Sequence, residues 1–430
     1  MRNLSEKMIY KPLSIQFEIT ELCTHKCKPC YNYYSHNVNV SSTNRGVIEK
    51  IAEQDFFDIT LTGGEPFCVR SQLYDSIKRF KKENMDVRVN SNLYLLTKDD
   101  AEKIIELKVD SILSSIFGPD KEIHDFLTGV DGSFEKLKKS LKYFENKNFG
   151  IAMNMVVNKQ NLKKVYETSK FLYEQFGINY FCATPMVISP GKDLKNIEIS
   201  REEYISILDT LLELEQNLKI KTDSLHPAVP CMFKEEEQEK YRRFFEGRAC
   251  TAAQGTLTFS PQGNVRVCSH ESRIYGNILD ESLENILEKM HEWRKGNHIP
   301  NGCSPCEYVG LCKGGCRVSA EAETGKLNGF EPYFTHPVKR RISTKEEKII
   351  FEKLKIQKGN FRFREEQNNL TTVYLAPRMN SILTPIELKI FRRFLSGKNY
   401  PEILEEVKNE ENLKEICTKL SIRKLLTNSA

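Results

Sequence analysis

Cys23, Cys27 and Cys30 are spaced CxxxCxxC. Three thiolates from one short loop are able to hold three irons of a four-iron four-sulfur cluster, leaving the fourth iron open for another ligand. That open corner separates a reactive cluster from a plain electron carrier. Zinc is the competing metal chemistry, but structural zinc wants four ligands, usually from paired CxxC units. Only His25 lies within the loop to complete such a set. A cysteine stripe on a buried helix is a third reading. Lys26, Lys28 and Pro29 between the cysteines argue against it, because lysine resists burial and proline resists helix.

A second cysteine field begins with Cys250, then Gly263 and Cys268, and continues with Cys303, Cys306, Cys312 and Cys316 in the spacing CxxCx5Cx3C. The stretch is rich in Gly and Pro and has no apolar periodicity, so core packing does not explain it. Metal does, with zinc again the structural alternative to iron–sulfur. Between the two fields, Thr62-Gly63-Gly64-Glu65-Pro66 carries glycines that let backbone polar groups approach a ligand closely.

The elements that must position these groups alternate. Strand patterns run over Leu13–Thr20, Phe57–Thr62, Asp86–Asn90, Ser111–Ile116, Ile151–Val157 and Tyr180–Val187. Helical patterns lie between them, including Ser71–Lys82, Phe134–Glu145 and Leu162–Phe176, and Arg201–Leu218 follows. Such alternation predicts an α/β fold, a partial (β/α)6 TIM-like barrel, with ligands at the C-terminal ends of its strands. The first cysteine loop follows strand one and the GGEP turn follows strand two. Thr222–Pro230 reads as a boundary loop. From Gly247 to about Lys326 apolar content thins, which calls for staples. Pro337–Arg341 is a basic linker. The predicted domains are therefore 1–220, 221–340 and 345–430.

The 430 residues carry a formal net charge of +5. That is small for this length and does not point to nucleic acid or membrane as the partner. No apolar run approaches the ~20 residues that span a bilayer, and Met1–Tyr10 has no signal-peptide core. A cytoplasmic location is expected, where thiols stay reduced. The thirteen cysteines then read as metal ligands rather than as a disulfide framework.

CTHKCKPCY at Cys23–Tyr31 resembles the signature of the radical S-adenosylmethionine (SAM) superfamily, over Leu13 to about Ser189. The resemblance implies a 4Fe-4S cluster on Cys23, Cys27 and Cys30 whose open iron binds SAM. Reductive cleavage then yields a 5′-deoxyadenosyl radical, with flavodoxin or ferredoxin as the reductant. Gly63, Gly64 and Glu65 match the family's GGEP motif, which touches the methionine amino group. Asn92, Ser115 and Asn154 correspond to strand-end positions that contact SAM; strand-end polar groups bonded to backbone are the alternative. The family often has an aromatic residue where Pro29 stands, and Tyr31 partly substitutes for it. Glu122-Ile123-His124-Asp125 resembles a segment usually followed by Arg, where Leu127 and Thr128 follow here. Cys182 and Tyr180 are candidates for a radical relay, with buried packing as their alternative.

The second field resembles the SPASM domain, over Gly247–Phe334. By that resemblance Cys250, Cys268 and Cys316 hold one auxiliary 4Fe-4S cluster, and Cys303, Cys306 and Cys312 a second. Phe334 stands where the family's last cysteine belongs. Glu331, His336 or Cys417 are possible replacements, and Cys231 is a possible fourth ligand of the first auxiliary set. The segment 345–430 has strand-like alternation around Gln367-Asn368-Asn369. A helix capped by Thr384 and Pro385 follows, with two more over Pro401–Val407 and Asn412–Leu425. That is a winged-helix-like α+β pattern, loosely resembling the PqqD-like elements that bind a leader peptide. The implied function is modification of a precursor peptide as partner and substrate. A maturase of the sulfatase or haem-pathway type and a non-catalytic iron–sulfur or zinc protein are the alternatives.

Overall fold

The computed structural model describes residues 11–32, 44–188, 194–246, 248–339, 349–376 and 379–428. The N-terminal segment read for a signal, Ser189, Gly247 and linker residues 340–341 lie outside the described residues, as does Lys345. Two compact units divide the chain, essentially Lys11–Ile342 and Ser343–Ala430.

In the larger unit, strands β1 (Ser14–Thr20), β2 (Asp58–Gly63), β3 (Asp86–Asn90), β4 (Ser111–Ser115), β5 (Ile151–Val157), β6 (Tyr180–Pro185) and β7 (Lys221–Asp223) lie side by side in chain order, all parallel. The connecting helices are α1 (Arg45–Ala52), α2 (Arg70–Lys82), α3 (Lys98–Glu106), α4 (Lys121–Thr128), α5 (Ser133–Lys142), α6 (Val165–Phe176) and α7 (Arg201–Leu218). Every residue of β2 is buried, as expected of a parallel strand covered on both faces. Capping boxes start α3 (Thr97 with Asp100) and α7 (Ser200 with Glu203), and the left-handed Gly177 ends α6. Parallel strands present all their C-terminal ends at one side, so the motif loops are gathered there by topology.

Two features differ from the sequence reading. The barrel sheet has a seventh strand where a loop was expected at Thr222. A three-residue strand is too short to show periodicity; β7 is held by tertiary contacts, including Arg243 on the Thr222 carbonyl at 2.9 Å. The cysteine-rich segment also does not stand on a thin core of its own. Its strand β8 (Thr256–Phe259) pairs parallel with β1, in the register Ser14↔Thr256, and β9 (Asn264–Arg266) and β10 (Gly276–Asn277) extend the same sheet antiparallel. Leu257, Phe259 and Val265 join one hydrophobic core with Ile15 and Phe17 of β1. Short helices α8 (Gln238–Glu246), α9 (Leu283–Lys289), α10 (His291–Lys295), α11 (Val309–Cys312) and α12 (Arg317–Thr324) complete this part.

The smaller unit contains β11 (Leu354–Ile356), the antiparallel meander β12 (Phe361–Glu365), β13 (Thr371–Leu375) and β14 (Met379–Leu383), helices α13 (Pro385–Leu395), α14 (Tyr400–Val407) and α15 (Glu410–Ile422), and β15 (Leu426–Asn428), which pairs with β11. The turn after β12 uses Asn368 and Asn369 at positive φ, a conformation asparagine tolerates. Thr384 caps α13 in a capping box with Glu387, with Pro385 in its first turn. Val373, Phe391, Ile403 and Leu413 lie in a separate core.

Candidate iron–sulfur and SAM site

The first cysteine loop leaves β1 at a bulge in its pairing with β2, where Thr20 lies opposite Gly63. Gly63 has φ +131°, and a Cβ there would stand 2.1 Å from the Thr20 carbonyl oxygen. A Cβ on Gly64 would stand 2.1 Å from the Leu22 oxygen. Both positions therefore demand glycine. The close approach lets Gly64 N–H donate to Thr20 O at 2.8 Å and Glu65 N–H to Leu22 O at 2.7 Å. Asn32, beyond the last cysteine, donates to Gly63 O at 2.9 Å. On the loop's other flank, Lys26 and Lys28 N–H donate to the carbonyls of Thr128 and Leu127, each at 2.9 Å. These are otherwise orphan carbonyls at the end of α4. Leu127 and Thr128, which break the family's usual sequence, thus support the loop through their backbone.

His25 is buried, with Nε2 3.0 Å from Ser133 Oγ, which in turn lies 3.2 Å from His124 Nε2. His124 Nδ1 accepts from Phe117 N–H at 3.3 Å. Burial lowers the pKa of His25 to about 4 and of His124 to about 3, so both imidazoles are neutral at pH 7. The residue available to complete a zinc site is thus part of a buried hydrogen-bonded chain.

The Glu65 side chain faces inward. Oε1 accepts from Phe67 N–H (3.0 Å) and Ser91 Oγ–H (2.8 Å), and Oε2 from Asn92 N–H (2.8 Å). This ties the end of β2 to the end of β3. Burial raises its pKa to about 7, although these donors oppose the shift. With the carboxylate so engaged, the part of GGEP left for a ligand is its backbone. Asn92 Nδ2 reaches the cysteine loop, 3.2 Å from Thr24 Oγ1 and 3.9 Å from Cys23 Sγ. Ser115 and Asn154 are paired across β4 and β5, and Asn154 Oδ1 accepts from Thr184 on β6 at 2.8 Å. Polar side chains thus stand just past the end of β3, at the end of β4, in the middle of β5 and near the end of β6. Cys182 is buried, and Tyr180 Oη lies 3.4 Å from Asp223 Oδ2.

The cysteines form three mutually facing groups. Burial raises the Cys27 thiol pKa well above its ordinary range, and charge on Cys30 and Cys23 adds to that. Burial likewise raises Cys268, with Cys250 and Cys316 adding. Cys231, Cys303, Cys306 and Cys312 line one small cavity together with Phe334. Cys231 therefore faces the Cys303 set, not the Cys250 set it was expected to complete. Among the described residues, no three His, Cys, Asp or Glu side chains converge tightly enough to hold one metal ion. A zinc ion draws its sulfurs to about 2.3 Å from one centre, whereas an iron–sulfur cluster binds each thiolate at a different iron. Grouped but separated thiols suit the cluster.

Sequence reasoning passed over two residues here. Cys68, two positions after GGEP, lies on a 3-10 turn (Pro66–Val69) close enough for its charge to oppose ionisation of Cys23. His270, two positions after Cys268, packs against Tyr31. Proximity to a motif was the available signal in both cases.

Comparison with known proteins agrees with this geometry. Residues 17–172 match the radical SAM superfamily, and residues 250–307 an iron-sulfur cluster-binding domain, SPASM. An AdoMet-dependent heme synthase of Methanosarcina barkeri is 25% identical over 349 residues, covering 76% of this chain and 97% of that protein. The antilisterial bacteriocin subtilosin biosynthesis protein AlbA of Bacillus subtilis is 25% identical over 321 residues, covering 71% of this chain and 67% of that protein. The solved structure of native anSMEcpe with bound AdoMet superposes with a TM-score of 0.60 at 19% identity, covering 75% of this chain and 94% of that one, and shares the fold. With the first cysteine loop at the C-terminal side of a partial barrel inside one match, and Cys250, Cys268, Cys303 and Cys306 inside the other, this chain carries a radical SAM domain followed by a SPASM domain.

Proposed function

We propose that the chain modifies a ribosomally made peptide, with Cys23, Cys27 and Cys30 holding the SAM-binding cluster and the smaller unit engaging the peptide's leader. When bound, the cluster and SAM supply an electron and, through it, a carbon-centred radical. The protein's part is positioning. The Gly63–Gly64 backbone and Asn92 stand against the cysteine loop, and Ser115 and Asn154 extend the polar rim across β4 and β5. The buried His25–Ser133–His124 chain and the Glu65 carboxylate keep that rim rigid.

The observation that carries the peptide reading is an open groove in the smaller unit. It has a volume of about 720 Å³ and lies between the β12–β13 turn and α13, lined by Leu388, Lys389, Arg392, Arg393 and Lys398. A groove lined by Leu370 and Leu388 together with Lys389 and Arg392 suits an amphipathic, acidic peptide segment. The same side chains are too few and too mixed with Glu365 and Glu366 to suit a nucleic-acid backbone. The relationship to a bacteriocin biosynthesis protein supports this reading.

A second reading has its own support. The Methanosarcina heme synthase matches over nearly its whole length, which favours a porphyrin substrate. That match leaves about a quarter of this chain uncovered, and the haem reading gives the grooved unit no task. One experiment separates the two. The full chain, reconstituted anaerobically, is incubated with SAM, a reductant and either a peptide encoded beside its gene or a porphyrin precursor of haem. The peptide reading expects 5′-deoxyadenosine together with a mass change in the peptide. Turnover of the porphyrin alone would replace it.

A further inference from the structure

The auxiliary site built on Cys303, Cys306 and Cys312 lacks the cysteine usually found at the position of Phe334, yet its cavity contains a fourth thiol. We infer that Cys231, from a turn about a hundred residues upstream, is the fourth ligand of a second auxiliary iron–sulfur cluster in that cavity. The inference rests on the cluster reading above and names the ligand that completes it.

Four observations carry it. Cys231 is buried and lines the cavity with the three other cysteines. It lies close enough to Cys303, Cys306 and Cys312 for negative charge on these sulfurs to oppose ionisation of one another. Its turn, the 3-10 helix Pro230–Met232, is fastened to the segment where the last cysteine is missing, because Thr335 Oγ1 donates to the Cys231 carbonyl. Phe334 itself stacks on Phe330, with ring centroids 4.0 Å apart, and closes the cavity as an apolar wall.

Glu331 and His336 also line this cavity, but both have other hydrogen-bond partners, and the third competitor lies outside it. Glu331 Oε1 lies 3.2 Å from His226 Nε2, and its Oε2 accepts from Tyr333 N–H at 2.9 Å. His336 is exposed, with Nδ1 2.9 Å from Thr335 Oγ1. Cys417 is fully buried in the core of the smaller unit. Cys306 Sγ already accepts from Val338 N–H at 3.4 Å, a bond of the kind that tunes cluster thiolates. On loading, each thiol releases its proton to solvent as its sulfur takes an iron.

The test is iron and acid-labile sulfide per chain after anaerobic reconstitution of the full protein, read with Mössbauer spectra. Cys231→Ala should lose about four irons, one cluster's worth, and so should Cys303→Ala. The spectral response of the first cluster to SAM should survive in both. Phe334→Cys in the Cys231→Ala background should restore the lost iron, because position 334 faces the same cavity. Cys231→Ser covers the case in which the alanine variant does not fold. An oxygen ligand there should shift the cluster's spectrum. Full iron and an unchanged spectrum in the Cys231 variants, with iron lost in Cys303→Ala, would overturn the assignment of Cys231 alone. Unchanged iron in Cys303→Ala and Cys312→Ala as well would remove the cluster, and the inference with it.

Discussion

The ring of Tyr31 lies against that of His270, with centroids 4.5 Å apart and planes inclined by 33°. Tyr31 follows Cys30 directly and His270 follows Cys268 by two residues, so the contact joins the first cysteine loop to the cysteine-rich segment. The tyrosine that partly substitutes for the family's aromatic residue at Pro29 thus also braces two cysteine-bearing segments against each other. Such aromatic pairs contribute about 0.5–1.5 kcal/mol beyond area burial. Tyr31→Leu should lower the denaturant midpoint and weaken iron retention at both sites. Tyr31→Phe keeps the ring contact and should do less, losing only the hydroxyl's bond to Thr62. Iron retained during chelation is the measurement.

Glu65 joins three donors across two strand ends. Glu65→Ala leaves the N–H groups of Phe67 and Asn92 and the Ser91 hydroxyl without their acceptor. Each buried unpaired donor costs roughly 1–3 kcal/mol, so a large fall in melting temperature is expected. The pH sign is definite. The folded carboxyl has a pKa of about 7, above its ordinary 4.5. Its contribution is fully present below the unfolded value and is lost as pH rises through about 7. Urea titrations of the metal-free chain from pH 5 to 8 should show a downward component that Glu65→Gln removes.

The His25–Ser133–His124 chain predicts the opposite slope. Both imidazoles have pKa values below the unfolded 6.5, at about 4 and about 3. An unfolded chain takes protons that the folded one refuses. Stability of the metal-free protein should therefore hold above pH 6.5 and fall as pH drops toward 4 and then 3. His25→Gln should flatten the upper part of that fall. Ser133→Ala should destabilise at pH 7.5 by about 1–3 kcal/mol, since two buried rings lose their shared partner.

Glu18 on β1 and Arg266 on β9 form a buried ion pair. The same guanidinium donates to the carbonyls of Ser269 (3.1 Å) and Glu271 (2.8 Å), the turn just after Cys268. Removing one partner strands a buried charge, at about 3–5 kcal/mol. Arg266→Met should therefore unfold at markedly lower denaturant and load less iron on Cys250, Cys268 and Cys316. Glu18→Leu together with Arg266→Met should recover much of the stability. Iron loading should recover less, because the turn's carbonyls remain without their donor.

Gly63→Ala and Gly64→Ala each place a methyl 2.1 Å from a backbone oxygen. Neither oxygen has a rotamer to escape into, so strand β2 must part from the cysteine loop. Overpacking of this kind costs about 1–3 kcal/mol or more. Both variants should lose iron from the first site before they lose global secondary structure, which paired iron assay and circular dichroism would show.

The amino-acid sequence by itself determined the local elements and the ligand types. Six barrel strands lie within one or two residues of their sequence patterns, because short apolar and β-branched runs between helical stretches are a local signal. The helix over Arg201–Leu218 and the capped start of α13 were equally legible, since caps and 3.6-residue periodicity are local signals. CxxxCxxC and CxxCx5Cx3C pointed to metal binding through their spacing, with iron–sulfur and zinc both open. Tertiary structure decided everything that depends on residues far apart in the chain. Examples are the placing of β8 beside β1, the turning inward of Glu65, the pairing of Tyr31 with His270, and above all the delivery of Cys231 into a cavity with Cys303, Cys306 and Cys312. A lone cysteine between Pro230 and Met232 has no spacing to reveal its partners. Only the folding of that turn against Thr335 gives it any, because a shared ligand shell is a relationship in space that no local pattern encodes.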